Sequence, residues 1–157
     1  MKVIQALPGM PNPVTEEEVD KLLQSKLNMQ LNTIDDEGYP MVHPVWFLYD
    51  KGSGKIYSAT QKMTKKVHNV RRRPNMVYFS IDDETYPYKG VKGRASAVIS
   101  EDIQKNIPII EKISLKYLGT LEHPLAKLLM ENARNGTEVV IELTPKFFSA
   151  WDFGKAM

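Results

Sequence analysis

Between Leu27 and Ile99 the chain reads as strand after short strand, with connections too brief for the crossover helices that a parallel sheet requires. Leu27, Met29, Leu31 and Thr33 alternate with polar neighbours, and Asp35-Asp36-Glu37-Gly38 supplies a turn. A second strand covers roughly Tyr39 to Tyr49, and Lys51-Gly52-Ser53-Gly54 turns the chain into Lys55 to Thr60. Met76 to Ile81 and Lys89 to Ile99 follow, on either side of a polar loop from Asp82 to Pro87. Glu138 to Leu143 and Phe147 to Phe153 raise the count to seven strands. Short strands at this spacing predict a mainly β fold, a small barrel with flanking helices.

Three helical stretches surround these strands. Thr15 followed by Glu18 is a capping box, and the helix it opens carries Val19, Leu22, Leu23 and Leu27 on one face. A short helix is predicted over Lys65 to Arg72, stopped by Pro74. A longer helical run from Asp102 to Asn135 is divided by Gly119 and by Pro124, which suits a first helical position. Asn135-Gly136 ends it. Residues 1–14, with Pro8, Pro11 and Pro13, read as an extended arm. The 157 residues therefore predict a single domain, large enough for its own core. No run is apolar for long enough to span a membrane, and no residue is cysteine, so disulfides, thiolate metal sites and thiol nucleophiles are excluded. We expect a cytoplasmic protein.

Charge is unevenly spread. No acid lies between Asp50 and Asp82, whereas eight lysines and arginines do. The remainder carries 13 cations against 19 acids, a net of −6. A chain that wraps nucleic acid is basic over a broad surface; this one has a single basic segment, from Lys62 to Arg73, which favours a local anion site.

Within that segment Thr64-Lys65-Lys66 starts a helix directly after a strand. Free N–H groups and the helix dipole make such a start attractive to phosphate, and Thr64 can cap the helix or lend its hydroxyl to the same anion. Cations in a first turn oppose the dipole, a conflict that a bound anion would remove. The alternative is a solvated basic face. Arg71, Arg72 and Arg73 stand at the helix end, where cations are favoured without any ligand.

Five stretches in order carry a resemblance: Gly38-Tyr-Pro-Met-Val-His-Pro-Val-Trp-Phe47, Ile56-Tyr-Ser-Ala-Thr60, Thr64 to Pro74, Tyr88-Lys-Gly-Val-Lys-Gly-Arg-Ala95, and Leu143 to Trp151. From about residue 20 to residue 153 the chain resembles the pyridoxamine 5′-phosphate oxidase-like flavoproteins, the FMN-binding split-barrel group, including its branch that uses the deazaflavin F420. The resemblance implies a split barrel of Greek-key antiparallel strands that forms a homodimer with two flavin sites in its interface. It implies an oxidoreductase acting on a small molecule, with FMN as cofactor and F420 as the alternative. It further implies that His43, Pro44, Val45, Trp46 and Phe47 run along the ring edge, continued by Ala59 and Thr60. Thr64, Lys65 and Lys66 would grip the phosphate, and Tyr88, Lys89 and Trp151 would close over the flavin from the partner. Only Asp-Phe-Gly-Lys-Ala-Met follows Trp151, without the Arg/His-rich segment of the vitamin B6 oxidases, so oxidation of vitamin B6 is not expected.

A flavin brings its own reactive centre, so no catalytic acid or base is assigned. His43, His68 and His123 lack metal spacing and are expected to be structural or on the surface. Two other classes stay open: a non-catalytic flavin or haem module, and a nucleic-acid-binding barrel using Tyr57, Tyr78 and Phe79 beside the basic strip.

Overall fold

A computed structural model describes residues 1–155. In chain order the elements are β1 (Val3–Gln5), α1 (Glu16–Leu23), β2 (Met29–Ile34), β3 (Pro40–Val45), β4 (Leu48–Asp50), β5 (Lys55–Gln61) and α2 (Lys65–Arg72). After these come β6 (Val77–Asp83), β7 (Lys89–Ser100), α3 (Ile103–Leu118), α4 (Pro124–Asn135), β8 (Glu138–Pro145), β9 (Phe148–Asp152) and a single 3₁₀ turn, Phe153–Lys155.

The strands pair in the order β3-β2-β6-β7-β8-β5-β4, every neighbour antiparallel. The two ends of that path, β3 and β4, are consecutive in sequence and joined only by Trp46 and Phe47. A flat sheet cannot have its opposite edges two residues apart, so this one must curl into a barrel with a seam at Trp46–Phe47. β6 returns past three intervening strands to pair with β2, the long return of a Greek key. The barrel is split along β7. Its second half, Ala95 to Ser100, pairs with β8, and its first residues, Lys89 to Lys92, pair with β9 on the same side.

Two expectations are corrected. The stretch from Tyr39 to Tyr49 is not one strand: β3 pairs with β2 and β4 with β5, and the chain changes sheet edge between them. The arm is not merely extended either, since β1 adds to β9 in parallel. Gln5 also exchanges hydrogen bonds with the backbone of Val14, tying the arm back on itself. The strand count is thus nine among the described residues rather than seven.

The helices follow their end signals. Thr15 caps α1 with the reciprocal Glu18 bond of a capping box, and Val19, Leu22 and Leu23 are buried. α1 stops at Leu23, so Leu27 packs partly against the core from the loop beyond. Gly119 and Gly136 end α3 and α4 in the left-handed conformation, at φ 76° and 82°. The main core fills the barrel, with Leu31, Phe47, Ile56, Phe79, Ile81 and Leu143 all at 0% exposure. A smaller cluster of Ile110, Met130, Ala133 and Val140 fixes α3 and α4 against β8.

Candidate functional site

The seam at Trp46–Phe47 is held by the last turn of α3. The Phe47 N–H donates to the Tyr117 hydroxyl at 3.2 Å, and that hydroxyl donates to the Leu27 carbonyl at 2.8 Å. Lys116 Nζ donates to the Phe47 carbonyl at 2.8 Å and sits 3.7 Å from the centre of the Phe47 ring. Burial lowers the Lys116 ammonium to about 8 and raises the Tyr117 phenol to about 12. Tyr117 also stacks on Trp46, with ring centroids 4.7 Å apart and an interplanar angle of 2°. Replacing Tyr117 by Phe keeps the stack but strands the Phe47 N–H. We expect a loss of about 1–3 kcal/mol in unfolding free energy by urea titration, with the secondary structure unchanged by circular dichroism.

Outside this clasp lies a cavity of about 560 Å³. One wall is strand: Pro44, Val45 and Trp46 from the seam side, Ala59 and Thr60 from β5. The opposite wall is helix: Ile110 and Ile113 from α3, Leu125, Leu128 and Leu129 from α4. At one end stand Thr64, Lys66, Gln61 and Glu138. The shape and lining suit a small organic ligand with a flat ring and an anionic tail.

That end joins a helix start to a half-buried lysine and a buried carboxylate. Thr64 is the N-cap of α2 but does not cap it with its side chain; its hydroxyl donates instead to the Gln61 carbonyl at 3.0 Å. The first-turn amides of α2 therefore lack a side-chain acceptor. Lys66 is half-buried at the cavity, and burial pushes its ammonium down against the pull of the Glu138 carboxylate. Glu138 is 4% exposed, and burial raises it to about 6, with Lys66 opposing.

α2 is held in place by a chain of polar side chains from three elements. The Asn69 amide donates to Thr33 Oγ1 at 3.0 Å, and Thr33 lies 3.0 Å from His43 Nε2. The Thr33 hydroxyl thus bridges the Asn69 amide and the His43 ring, the donor of the second bond following the imidazole tautomer. Burial, and then the Lys66 charge, lower the His43 pKa and keep it neutral. His43 thus ties β3 to the helix that carries Lys66.

The basic segment looks different once folded. Lys62 and Arg71 pair with Glu101 at 2.5 and 3.2 Å, Arg72 pairs with Asp36 at 3.2 Å, and Arg73 donates to the Asp35 carbonyl at 2.6 Å. Among the described residues, Lys65, Lys66 and Arg73 are the members of the run without an ion pair, and of these Arg73 is held by its bond to the backbone. Lys65 is exposed on the side away from the cavity, beside Asp36 and His68. His68 bonds Asp36 at 2.9 Å, and His123 caps α4 by accepting from the Leu125 N–H at 3.0 Å.

Of the residues singled out in the sequence, Pro44, Val45, Trp46, Ala59, Thr60, Thr64 and Lys66 line this one cavity. Phe47 does not contribute a side chain to it, because the ring is fully buried inside the barrel. Lys89 and Trp151 line a second cavity of about 520 Å³ between α1 and the β7–β9 edge, and Tyr88 packs edge-on against Tyr86 at 5.6 Å. Within one chain these three are not brought to the first cavity. The helical wall and Glu138 were missed. Leu125 and Leu128 carry no signal that separates them from core positions, and Glu138 is the first residue of a strand buried at its first six positions.

A model of the family described as pyridoxamine 5′-phosphate oxidase matches residues 15–152. No curated protein matches the chain in sequence. Among solved structures, it is similar to the conserved hypothetical protein Rv2991 from Mycobacterium tuberculosis, at 24% identity and a TM-score of 0.76, covering 90% of this chain and 87% of that one. It is also similar to an F420 reductase, at 26% identity and a TM-score of 0.64, covering 86% and 98%. HutZ, the haem storage protein from Vibrio cholerae, has the same fold at 17% identity and a TM-score of 0.66, covering 87% and 93%.

Proposed function

The chain belongs to the pyridoxamine 5′-phosphate oxidase family, and on that premise we propose that it is an oxidoreductase holding a flavin-type cofactor, FMN or the deazaflavin F420, in the cavity beside Trp46. The observation that carries this reading is the polarity of that cavity, with a flat aromatic wall at Trp46 and a half-buried, unpaired Lys66 beside an uncapped helix start at the other end. A bound flavin supplies hydride transfer at its N5 atom. The chain's residues then do the rest. Thr64, Lys66 and the first amides of α2 bind the phosphate; Val45, Trp46 and Ala59 orient the ring; Ile113, Leu125 and Leu128 exclude water. His43 holds the Lys66 helix in register and carries no proton in the reaction.

The cavity is open to solvent on one side, and a second copy of the chain is the proposed cover. On this reading Tyr88, Lys89 and Trp151 serve the site of the other copy. Supporting it, Val42 on β3 and Tyr78 on β6, both paired with Asn32 of β2, are exposed, as is Met76 just before β6. We read no nucleic-acid strip in the basic segment, since Glu101 and Asp36 hold three of its six cations, Lys62, Arg71 and Arg72, in ion pairs. The F420 reading draws support from the similarity to an F420 reductase, and a haem module from the fold shared with HutZ.

Titration with FMN, F420 and haem, followed by absorbance and fluorescence, tests the proposal. Lys66→Ala is expected to weaken FMN or F420 roughly 10- to 100-fold through loss of a charge-assisted contact, with the unfolding midpoint unchanged. Equal affinity in wild type and variant, or binding of haem alone, would remove the assignment.

A further inference from the structure

Glu138 is out of place in an anion site. It is the first residue of β8, paired with Gln61 across from β5, and it lines the same end of the cavity as Lys66 and Thr64. It is 4% exposed. The groups facing it are Gln61 from β5, Thr64 and Lys66 from the start of α2, and Asn132 from α4, of which Lys66 alone is charged. The other acid of the strand, Glu142, is satisfied by Lys55 and by Lys105 at 3.0 Å, whereas the Glu138 carboxylate makes no hydrogen bond to another described residue. The tail end of the cavity thus holds one cation and one carboxylate, with a formal sum of zero.

We propose that Glu138 selects the ligand by the charge on its phosphate group, admitting a singly charged phosphodiester, as in F420, in preference to the doubly charged phosphomonoester of FMN. This rests on the reading of the cavity as a flavin-type cofactor site. A phosphomonoester carries close to two negative charges above neutral pH, and a diester carries one. The single cation Lys66 matches one charge. The second meets a desolvated carboxylate at close quarters, where repulsion is far less screened than in water. A partial remedy is open to a dianion, because burial already raises Glu138 toward neutrality and a proton can be taken up on binding.

The test uses the full chain at pH 8, where phosphate and Glu138 are both ionised, with FMN, riboflavin and F420 as probes. In wild type, FMN is expected to bind no more than about threefold tighter than riboflavin, which has the same ring and no phosphate. In Glu138→Gln, FMN is expected to tighten on the order of tenfold, F420 by about threefold, and riboflavin not at all. A wild-type gain of a hundredfold for FMN over riboflavin would overturn the proposal, and so would an unchanged ratio of FMN to F420 affinity in the variant. Weaker binding of all three probes would instead make Glu138 an acceptor for the ligand's polyol chain and likewise overturn it. The riboflavin comparison needs no variant, so it stands even where Glu138→Gln folds poorly. Wild type that binds none of the three fails the cofactor reading itself, a separate result.

Discussion

Replacing Phe79 with alanine is expected to lower the unfolding free energy by about 3–5 kcal/mol, enough to unfold much of a marginally stable domain. Phe79 is fully buried near the middle of β6, opposite Leu31 on β2 and Gly93 on β7. Its ring meets Phe148 edge-to-face, with centroids 5.8 Å apart and planes at 66°. Phe148 in turn meets Tyr49 edge-on at 6.3 Å, so the three rings link β6, β9 and β4 through the barrel interior. Removing the Phe79 ring leaves a cavity whose walls are strands, which relax less readily than a surface loop. Urea unfolding at fixed protein concentration checks this. A loss below about 1 kcal/mol would show that the barrel interior is not the main source of stability.

Gly93→Ala acts on the same place from the opposite direction. A Cβ at Gly93 would lie 2.1 Å from the Phe147 carbonyl oxygen and 2.9 Å from Phe79 Cζ. The first contact is backbone, at the point where β7 loses β8 and has not yet met β9, so it cannot be relieved by a rotamer change. The carbonyl of the neighbouring Arg94 also accepts from the Lys146 N–H at 2.8 Å, which holds the crossing segment down. We expect a cost of about 3 kcal/mol or more, with the melting temperature falling accordingly. Combining the change with Phe79→Ala should cost less than the two losses added, because an absent ring frees one of the two contacts. Strict additivity would mean that the backbone clash alone is felt.

Features with a local cause were legible in the sequence. The capping box of α1, the division of the long helical run at Gly119 and Pro124, and the antiparallel strands each follow from a few neighbouring residues. The break at Trp46–Phe47 does not. It arises because β3 and β4 pair with different partners, information that lies in β2 and β5. β1 is hidden for the same reason: three residues become a strand only when β9 is beside them. At the cavity, the Thr64-Lys65-Lys66 signal pointed to one end, and the fold separates the two lysines, Lys66 inward and Lys65 out. The helical wall was illegible because Leu125 and Leu128 have the same spacing whether they face a core or a cavity. Glu138 was illegible because a strand buried on both faces has no alternation to mark which residue looks where.

The clasp at the seam divides the cavity into a rail and a jaw. Phe47 has both backbone groups taken by the last turn of α3, and the same helix presents Ile110 and Ile113 to the cavity. Any shift of α3 would therefore open the barrel, so that side of the cavity is rigid for the same reason that the fold is closed. α4 is tethered to it through the five residues from Gly119 to His123 and leaves Leu125 and Leu128 partly in water, at 39% and 51% exposure. Descendants of this chain can change the length and bulk of what they accept by editing α4, while the machinery that closes the barrel stays untouched. The exposed positions of α4 can thereby vary without touching the clasp that closes the barrel.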